Sequence, residues 1–132
     1  MGSLRLATTE TTPGMTPALL EVYPHPALLA LTGSDYRLRY KVSRSSKYWK
    51  GTTSDERRRL LLEQFQFILD HLSRHIDGID LVLPSPGDVT LSGLKTYEDG
   101  IDALVCAWVG IKYIEGRAAP FGNADAAVWV PI

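Results

Sequence analysis

The fold of this chain is constrained most by two long stretches in which apolar residues recur at helical spacing. In the first stretch, Thr53 and Glu56 have the spacing of a capping box, in which the two residues satisfy each other's backbone N–H groups. Leu61, Phe65, Ile68 and Leu72 then recur on one face, so the sequence predicts a core-packing helix that runs to about residue 75.

The second stretch predicts a more deeply buried helix near the C-terminus. Thr96 is its predicted N-cap, and the helix is expected to end before Gly116. The predicted apolar face consists of Ile101, Leu104, Val105, Trp108 and Ile111. Cys106, among apolar neighbours, is predicted to be a small core side chain, and a single cysteine excludes an intramolecular disulfide.

Few segments have the pattern of a strand. Residues 18–23, between Pro17 and Pro24, predict a short buried strand, and residues 126–130 predict a terminal one. A short helix is predicted from Pro26 to Leu31, closed by Gly33, and residues 78–93 and 118–125 are predicted to be connecting segments. The pattern as a whole is typical of a mixed α/β fold.

The length of 132 residues, with 45% hydrophobic and 22% charged residues, predicts one compact domain. Residues 1–17 are rich in threonine and have no periodicity, so we expect a flexible leader followed by a single domain over residues 18–132. No apolar run approaches the roughly 20 residues of a membrane span, and no secretory signal is evident. The expected location is the cytoplasm.

The charges are distributed unevenly along the chain. Residues 37–59 contain nine of the fourteen basic residues and only two acidic ones, a net charge of +7. The rest of the chain contains five basic and thirteen acidic residues, a net charge of −8. This asymmetry indicates either a polyanionic partner, such as a nucleic acid, or a solvated loop and helix start.

Several carboxylates are candidates for chemistry. Glu98, Asp99 and Asp102 crowd the predicted start of the last helix, where the helix dipole stabilises acidic residues by roughly 0.3–1 kcal/mol each and explains them without a function. Asp102 is less readily explained in this way, because it lies between Ile101 and Ala103 in an otherwise apolar helix. Glu21, flanked by Leu20 and Val22, either points away from the core or is paired or metal-bound. A strand-end glutamate and a helix-start aspartate are also ligands that Mg²⁺ accepts.

Four segments, in this order, resemble the domain-of-unknown-function 429 family of predicted nucleases. They are Glu-Val-Tyr-Pro-His-Pro-Ala-Leu at 21–28, Tyr-Arg-Leu-Arg-Tyr-Lys at 36–41, Asp-Gly-Ile-Asp-Ala-Leu-Val-Cys-Ala-Trp at 99–108, and a C-terminus with Ala-Ala-Pro-Phe-Gly-Asn at 118–123 and Ala-Ala-Val-Trp-Val-Pro at 126–131. The resemblance implies a ribonuclease-H-like fold and metal-dependent hydrolysis of phosphodiesters.

The resemblance also implies roles for individual residues. Glu21 and Asp102 resemble the family's catalytic acids, and Asp99 would join them as a ligand of Mg²⁺ or Mn²⁺. We expect nucleic-acid phosphates to be contacted from the basic segment, with Lys41 as the preferred contact. The expected contacts are Arg37, Arg39, Lys41, Arg44 and Lys47.

Members of this family generally have an N-terminal half with three strands and a first catalytic aspartate. Only about twenty unpatterned residues precede Glu21 here, so we expect a partial ribonuclease-H-like domain that lacks those N-terminal strands. Strands without their neighbours expose edges that pair with other chains, and a homo-oligomer is therefore expected. The alternative to an enzyme is a non-catalytic module that binds nucleic acid or assembles with a partner.

Overall fold

The computed structural model describes residues 5–132, and these residues form four helices and one two-stranded antiparallel sheet. The elements are α1 (Pro24–Thr32), α2 (Ser45–Tyr48), α3 (Ser54–Ser73), α4 (Lys95–Ile114), β1 (Ala118–Gly122) and β2 (Ala127–Pro131). The predicted mixed α/β class is confirmed, as are its two main helices, α3 and α4.

The chain divides into two compact units. A central unit comprises residues 36–104, and a terminal unit comprises the residues up to 35 together with residues 105–132. The first ten residues of α4 belong to the central unit and its last ten belong to the terminal unit. The prediction of one domain over residues 18–132 concerns independent folding and stays a prediction.

Helix α3 of the central unit forms as its sequence predicts. The Thr53 side chain accepts a hydrogen bond from the Glu56 N–H at 3.2 Å, and the Thr53 N–H donates to the Glu56 carboxylate at 3.0 Å. The predicted stripe is fully buried, and Leu61, Phe65, Ile68 and Leu72 are each 0% exposed. The capping box and the apolar period therefore suffice to predict this helix.

The basic segment precedes α3 and is more ordered than the predicted loop. Residues 36–41 form no regular element, a 3₁₀ turn follows at Val42–Arg44, and α2 continues directly from it. Leu38 and Tyr40 are buried, whereas Arg37 and Arg39, which alternate with them along the chain, are exposed. This alternation turns the arginine side chains outward while the segment packs against the unit's core.

The start of α4 differs from the prediction. A 3₁₀ turn at Ser92–Leu94 leads directly into the helix at Lys95, so Thr96 lies inside the helix and the prediction of an N-cap there is wrong. The turn has already brought the backbone into helical geometry, because Lys95 has φ −58° and ψ −36°. No separate cap residue is needed at Thr96.

The buried face of α4 is rotated from the predicted one. Ile101, Val105 and Trp108 are buried as predicted, but Ile111 is 39% exposed and Val109 and Tyr113 are buried in its place. Cys106 is exposed, so the prediction of a core thiol is wrong. The cysteine immediately follows Val105 and lies beside the buried stripe.

In the terminal unit, residues 18–23 do not form the predicted strand. They make only two isolated parallel bridges, between Leu19 and Leu6 and between Glu21 and Val128. Helix α1 begins at Pro24, two residues before the predicted start, with Tyr23 as its N-cap. The helix ends as predicted at Gly33, whose φ of 70° is left-handed.

The sheet of the terminal unit is a hairpin of β1 and β2. The terminal strand is confirmed with a shift of one residue, but residues 118–122 form β1 and the prediction of a loop there is wrong. Pro120 is tolerated because β1 has a strand partner on one side only, among the residues that the structure describes. Gly122, with φ 151°, approaches the Ala126 carbonyl too closely to carry a Cβ atom.

The segment before residue 18 contributes hydrogen bonds to the terminal unit. The Ala7 N–H donates to the Leu19 carbonyl at 2.8 Å, and the Trp129 indole N–H donates to the Ala7 carbonyl at 3.0 Å. The Tyr113 hydroxyl donates to the Met15 carbonyl at 2.6 Å. Residues 1–4 of the predicted leader lie outside the described residues, and its flexibility stays a prediction.

Within residues 5–132, no helix combines the length and the apolar character that crossing a membrane requires.

Candidate functional site

The first two turns of α4 carry three carboxylates that lie close together in the central unit. Glu98, Asp99 and Asp102 each offer an oxygen, and these oxygens lie within 4.8 Å of one another. We call these three residues the acidic cluster. The structure thus brings together Asp99 and Asp102, which the family resemblance implies as ligands, and adds Glu98, which the sequence explains only by the helix dipole.

Glu98 is the buried member of the acidic cluster, with a side chain 1% exposed. Its Oε1 accepts a hydrogen bond from the Val42 N–H at 2.8 Å. Its Oε2 accepts from the Lys95 ammonium at 2.6 Å and from the Lys41 ammonium at 3.3 Å. A buried carboxylate is costly unless such donors satisfy it, so these contacts join the segment around residue 42 to the start of α4.

Opposing effects act on the protonation of Glu98. Burial raises the pKa of its carboxyl, but the hydrogen bonds from Lys95 and the Val42 N–H and the positive charge of Lys41 lower it. The net effect is a pKa below the ordinary value. Glu98 is therefore an anion at neutral pH, although it is almost inaccessible to solvent.

Asp102 is held by two donors from the segment that precedes α2. The Tyr40 hydroxyl donates to its Oδ1 at 2.7 Å, and the Lys41 ammonium donates to its Oδ2 at 2.9 Å. Burial, the hydrogen bond to Asp102 and the nearby negative charges raise the pKa of Tyr40, which therefore remains a protonated donor. The two hydrogen bonds fix the orientation of the Asp102 carboxylate, and its side chain is 22% exposed and therefore accessible from solvent.

Asp99 is the most accessible member of the acidic cluster, with a side chain 63% exposed. Its Oδ1 lies 2.9 Å from the Lys95 ammonium. Hydrogen bonds to Glu98 and Asp99 raise the pKa of Lys95, which is therefore positively charged throughout the physiological range. Lys95 bridges the buried and the exposed carboxylates.

The carboxylate oxygens of the acidic cluster are of a chemical type that binds a hard divalent cation. Carboxylate oxygens are the ligands that Mg²⁺ and Mn²⁺ take, and two of the three side chains are accessible from solvent. The same oxygens, however, are bridged by the ammonium groups of Lys41 and Lys95. A divalent cation bound here competes with two lysines for its ligands.

Glu21, the other predicted catalytic acid and metal ligand, belongs to the terminal unit. It is half-buried, and its backbone carbonyl accepts a hydrogen bond from the Trp129 N–H at 3.0 Å. The predicted ligand set is thus divided, with Asp99 and Asp102 in the central unit and Glu21 in the terminal unit.

The five predicted phosphate contacts fall into two groups. Arg37, Arg39, Arg44 and Lys47 are exposed and form no ion pair with any residue from 5 to 132. Lys41 instead bridges Glu98 and Asp102. The structure therefore places Lys41 in the acidic cluster and leaves the other four side chains free for a ligand.

Partners from distant parts of the sequence complete the acidic cluster. Tyr40 and the Val42 N–H lie more than fifty residues before the carboxylates that they bind, so no local spacing could indicate them. Glu98 had a local signal, because it lies four residues before Asp102 and hence on the same helix face.

The fold and the cluster define a mixed α/β protein with a lysine-bridged carboxylate site at the start of its last long helix. A family model described as a protein of unknown function, DUF429, matches residues 3–127, nearly the whole chain, and the chain belongs to this family. No curated protein and no solved structure matches the chain. The family predicted from the sequence segments is thereby confirmed.

Proposed function

We propose that the protein is a metal-dependent nuclease that hydrolyses phosphodiester bonds with Mg²⁺ or Mn²⁺ at the acidic cluster. The observation that carries this proposal is the convergence of the Glu98, Asp99 and Asp102 carboxylates within 4.8 Å, next to the Lys41 ammonium. The proposal includes the ribonuclease-H-like fold implied by the family resemblance and a location in the cytoplasm. The resemblance carried by the four sequence segments supports the proposed fold and reaction class.

The accessible carboxylates are the proposed metal ligands. Asp102 and Asp99 present oxygens to solvent, whereas Glu98 anchors the segment at residue 42 and supplies buried negative charge. Glu21 is the proposed further acid, on the strength of the family resemblance. A bound divalent cation would activate a water molecule and stabilise the leaving oxygen.

Residues around the acidic cluster have positioning and electrostatic roles in this proposal. Tyr40 fixes one oxygen of Asp102, so that the carboxylate is already oriented before a ligand arrives. Lys41 lies 2.9 Å from Asp102 and is the cation best placed to stabilise negative charge on phosphate oxygens. The exposed arginines of the basic segment would hold more distant phosphates.

Metal binding and metal dependence test the proposal together. Calorimetric titration with Mn²⁺ is expected to show binding by the parent protein and much weaker binding by Asp102→Asn. Asp70→Asn, which changes an exposed carboxylate on α3, is the matched control and should bind like the parent. Equal Mn²⁺ binding by Asp102→Asn, or cleavage of nucleic acid undiminished by EDTA, would contradict the proposed site.

The second candidate function is a non-catalytic module that binds nucleic acid. The lysine bridges favour it, because Lys41 and Lys95 already compensate two of the cluster's three negative charges. Binding that weakens steeply with salt, with no cleavage in Mg²⁺ or Mn²⁺, would support this candidate over the enzyme.

Self-association through the terminal unit is also proposed. Tyr23 and Phe121 are 55% and 62% exposed, and they line an apolar surface groove of about 450 Å³ with residues of α1 and β2. Strand β1 has a strand partner on one side only among residues 5–132. An open edge beside an apolar surface is suited to a second copy of the chain.

A further inference from the structure

An open groove in the central unit shares no residue with the acidic cluster. Tyr36, Arg39, Trp49, Leu60 and Gln64 line it, and its volume is about 440 Å³. We call it the aromatic groove. Arg39 is one of the phosphate contacts predicted from the sequence, and the sequence pattern predicts no role for the two aromatic residues.

The two aromatic side chains of this groove are accessible from solvent to different degrees. Tyr36 is 68% exposed, and Trp49 is half-buried. Trp49 packs edge to face with Tyr48, with ring centroids 5.5 Å apart and planes at 76°. The Thr52 hydroxyl donates to the Trp49 carbonyl, and the Trp49 N–H donates to the Ser45 carbonyl at 3.1 Å. These contacts hold the tryptophan in place at the groove.

The segment that supplies Tyr36, Arg39 and Trp49 to the aromatic groove is strongly basic. Arg39 lines the groove itself, and further exposed basic side chains lie on the chain between Tyr36 and Gly51. These are Arg37, Arg44, Lys47 and Lys50. None of the five forms an ion pair with any residue from 5 to 132, so their charge is available to a ligand.

We propose that the aromatic groove binds single-stranded nucleic acid. Tyr36 and Trp49 stack on unpaired bases, and Arg39 with its basic neighbours binds the adjoining phosphates. Bases in a duplex are already stacked on one another, so the groove discriminates against double strands. This inference rests on the proposed function for the class of ligand, nucleic acid, and adds that the ligand is single-stranded. Binding in the groove requires no metal.

Binding measured in EDTA separates the aromatic groove from the acidic cluster. Fluorescence anisotropy is recorded with labelled DNA and RNA oligonucleotides of about 12 nucleotides, a length within the range of single-strand sites, and with the matching duplexes. Both single strands are expected to bind more tightly than either duplex. No binding at low salt, or binding of duplexes as tight as that of single strands, would overturn the proposal.

Variants at exposed positions test the assignment without threatening the fold. Tyr36→Ala should weaken single-strand binding by about fivefold or more, and Tyr36→Phe should retain it, because stacking needs only the ring. Arg39→Gln should weaken binding and make it less dependent on salt. Parent-like affinity in both Tyr36→Ala and Arg39→Gln would overturn the assignment.

Matched controls lie outside the aromatic groove. Ile114→Ala removes an exposed apolar side chain in the terminal unit and should leave the affinity unchanged. Arg74→Gln removes an exposed arginine at the C-cap of α3 and should also have no effect. Arg74 lies ten residues after Gln64, which corresponds to about 15 Å along the helix axis. A loss in these controls as large as in Tyr36→Ala would show nonspecific binding and overturn the proposal.

Tryptophan fluorescence gives an independent readout at the groove itself. The chain has three tryptophans, of which Trp108 and Trp129 are 3% and 0% exposed, so quenching by a stacked base reports on Trp49. Single-stranded oligonucleotide is expected to quench the parent and to leave Trp49→Phe unquenched. Quenching that persists in Trp49→Phe would contradict stacking there.

Single-strand binding in EDTA without any metal-dependent cleavage would refute the proposed nuclease activity but not the proposed binding in the aromatic groove.

Discussion

At the residue scale, Glu98 is the side chain on which the acidic cluster is built. It is buried, ionised and hydrogen-bonded by Lys41, Lys95 and the Val42 N–H. These donors come both from its own helix and from the segment before α2. Glu98 therefore contributes to stability, whereas the more exposed Asp99 and Asp102 are available for a ligand.

Replacement of Glu98 by glutamine should destabilise the protein. The substitution removes a buried negative charge that satisfies two ammonium groups, and the expected loss in the free energy of unfolding is about 2–3 kcal/mol. Urea denaturation followed by circular dichroism measures this loss. The control Asp99→Asn, at an exposed position, is expected to change the free energy by less than about 0.5 kcal/mol. Equal stability of Glu98→Gln and the parent would contradict the structural role.

The same carboxylate gives stability a defined dependence on pH. The pKa of Glu98 is lower in the folded protein than in the unfolded chain, so its stabilisation is complete above the unfolded value of about 4.3. It is lost as the pH falls through the folded value, because the unfolded chain binds the proton first. Denaturation between neutral and acidic pH should show this loss in the parent, and Glu98→Gln should lack that component. An identical pH dependence in both proteins would argue against the lowered pKa.

At the element scale, the start of α4 combines three carboxylates with a lysine of the same helix. Lys95 contacts both Glu98 and Asp99 from one turn before them. A helix N-terminus already favours negative charge, and Lys95 reduces the net charge that remains for another cation. The first turns of this helix therefore determine how strongly the acidic cluster can bind a metal.

Removal of the Lys95 charge should strengthen metal binding. Lys95→Gln frees oxygens of Glu98 and Asp99 and removes a competing cation, so Mn²⁺ affinity should rise several-fold, as a calorimetric titration would measure. Lys112→Gln is the matched control, since that lysine of α4 pairs with Glu115 outside the acidic cluster. Unchanged or weaker Mn²⁺ binding in Lys95→Gln would contradict competition between the lysine and the metal.

The elements also show what could be predicted from the sequence. Helix α3 was predictable because its capping box and apolar stripe are local signals. Strand β1 was not, because it contains Pro120 and depends on pairing with β2 rather than on its own pattern. For the acidic cluster, the spacing of Glu98, Asp99 and Asp102 predicts their proximity on one helix, whereas a ligand role for Asp99 and Asp102 is implied by the family resemblance. Their partners Tyr40 and Lys41 were not predictable, since tertiary packing alone brings them to the helix.

At the scale of the whole molecule, the two units carry different functional features. The central unit contains the acidic cluster and the aromatic groove. The terminal unit contains Glu21 and the hairpin with its open edge. The near-neutral net charge of −1 results from a basic segment and an acidic remainder, and Arg39 of that basic segment lines the aromatic groove.

The proposed homo-oligomer can be tested at the apolar surface of the terminal unit. Light scattering at tens of micromolar protein should show a species larger than the 14.6 kDa monomer. Phe121→Asp should shift the protein toward the monomer, because a charge opposes burial of the apolar surface. Val82→Asp, at an apolar position of the central unit that is 81% exposed, should not. A parent protein that is entirely monomeric would refute self-association.

The central claim, hydrolysis at the acidic cluster, is tested most directly by cleavage of an end-labelled single-stranded oligonucleotide in Mn²⁺. Parent and Asp102→Asn proteins are compared side by side, with folding checked by circular dichroism and with Asp70→Asn as the control. We expect cleavage by the parent and by Asp70→Asn, and none by Asp102→Asn or by any of the proteins in EDTA. Cleavage by Asp102→Asn at the parent rate would contradict the account.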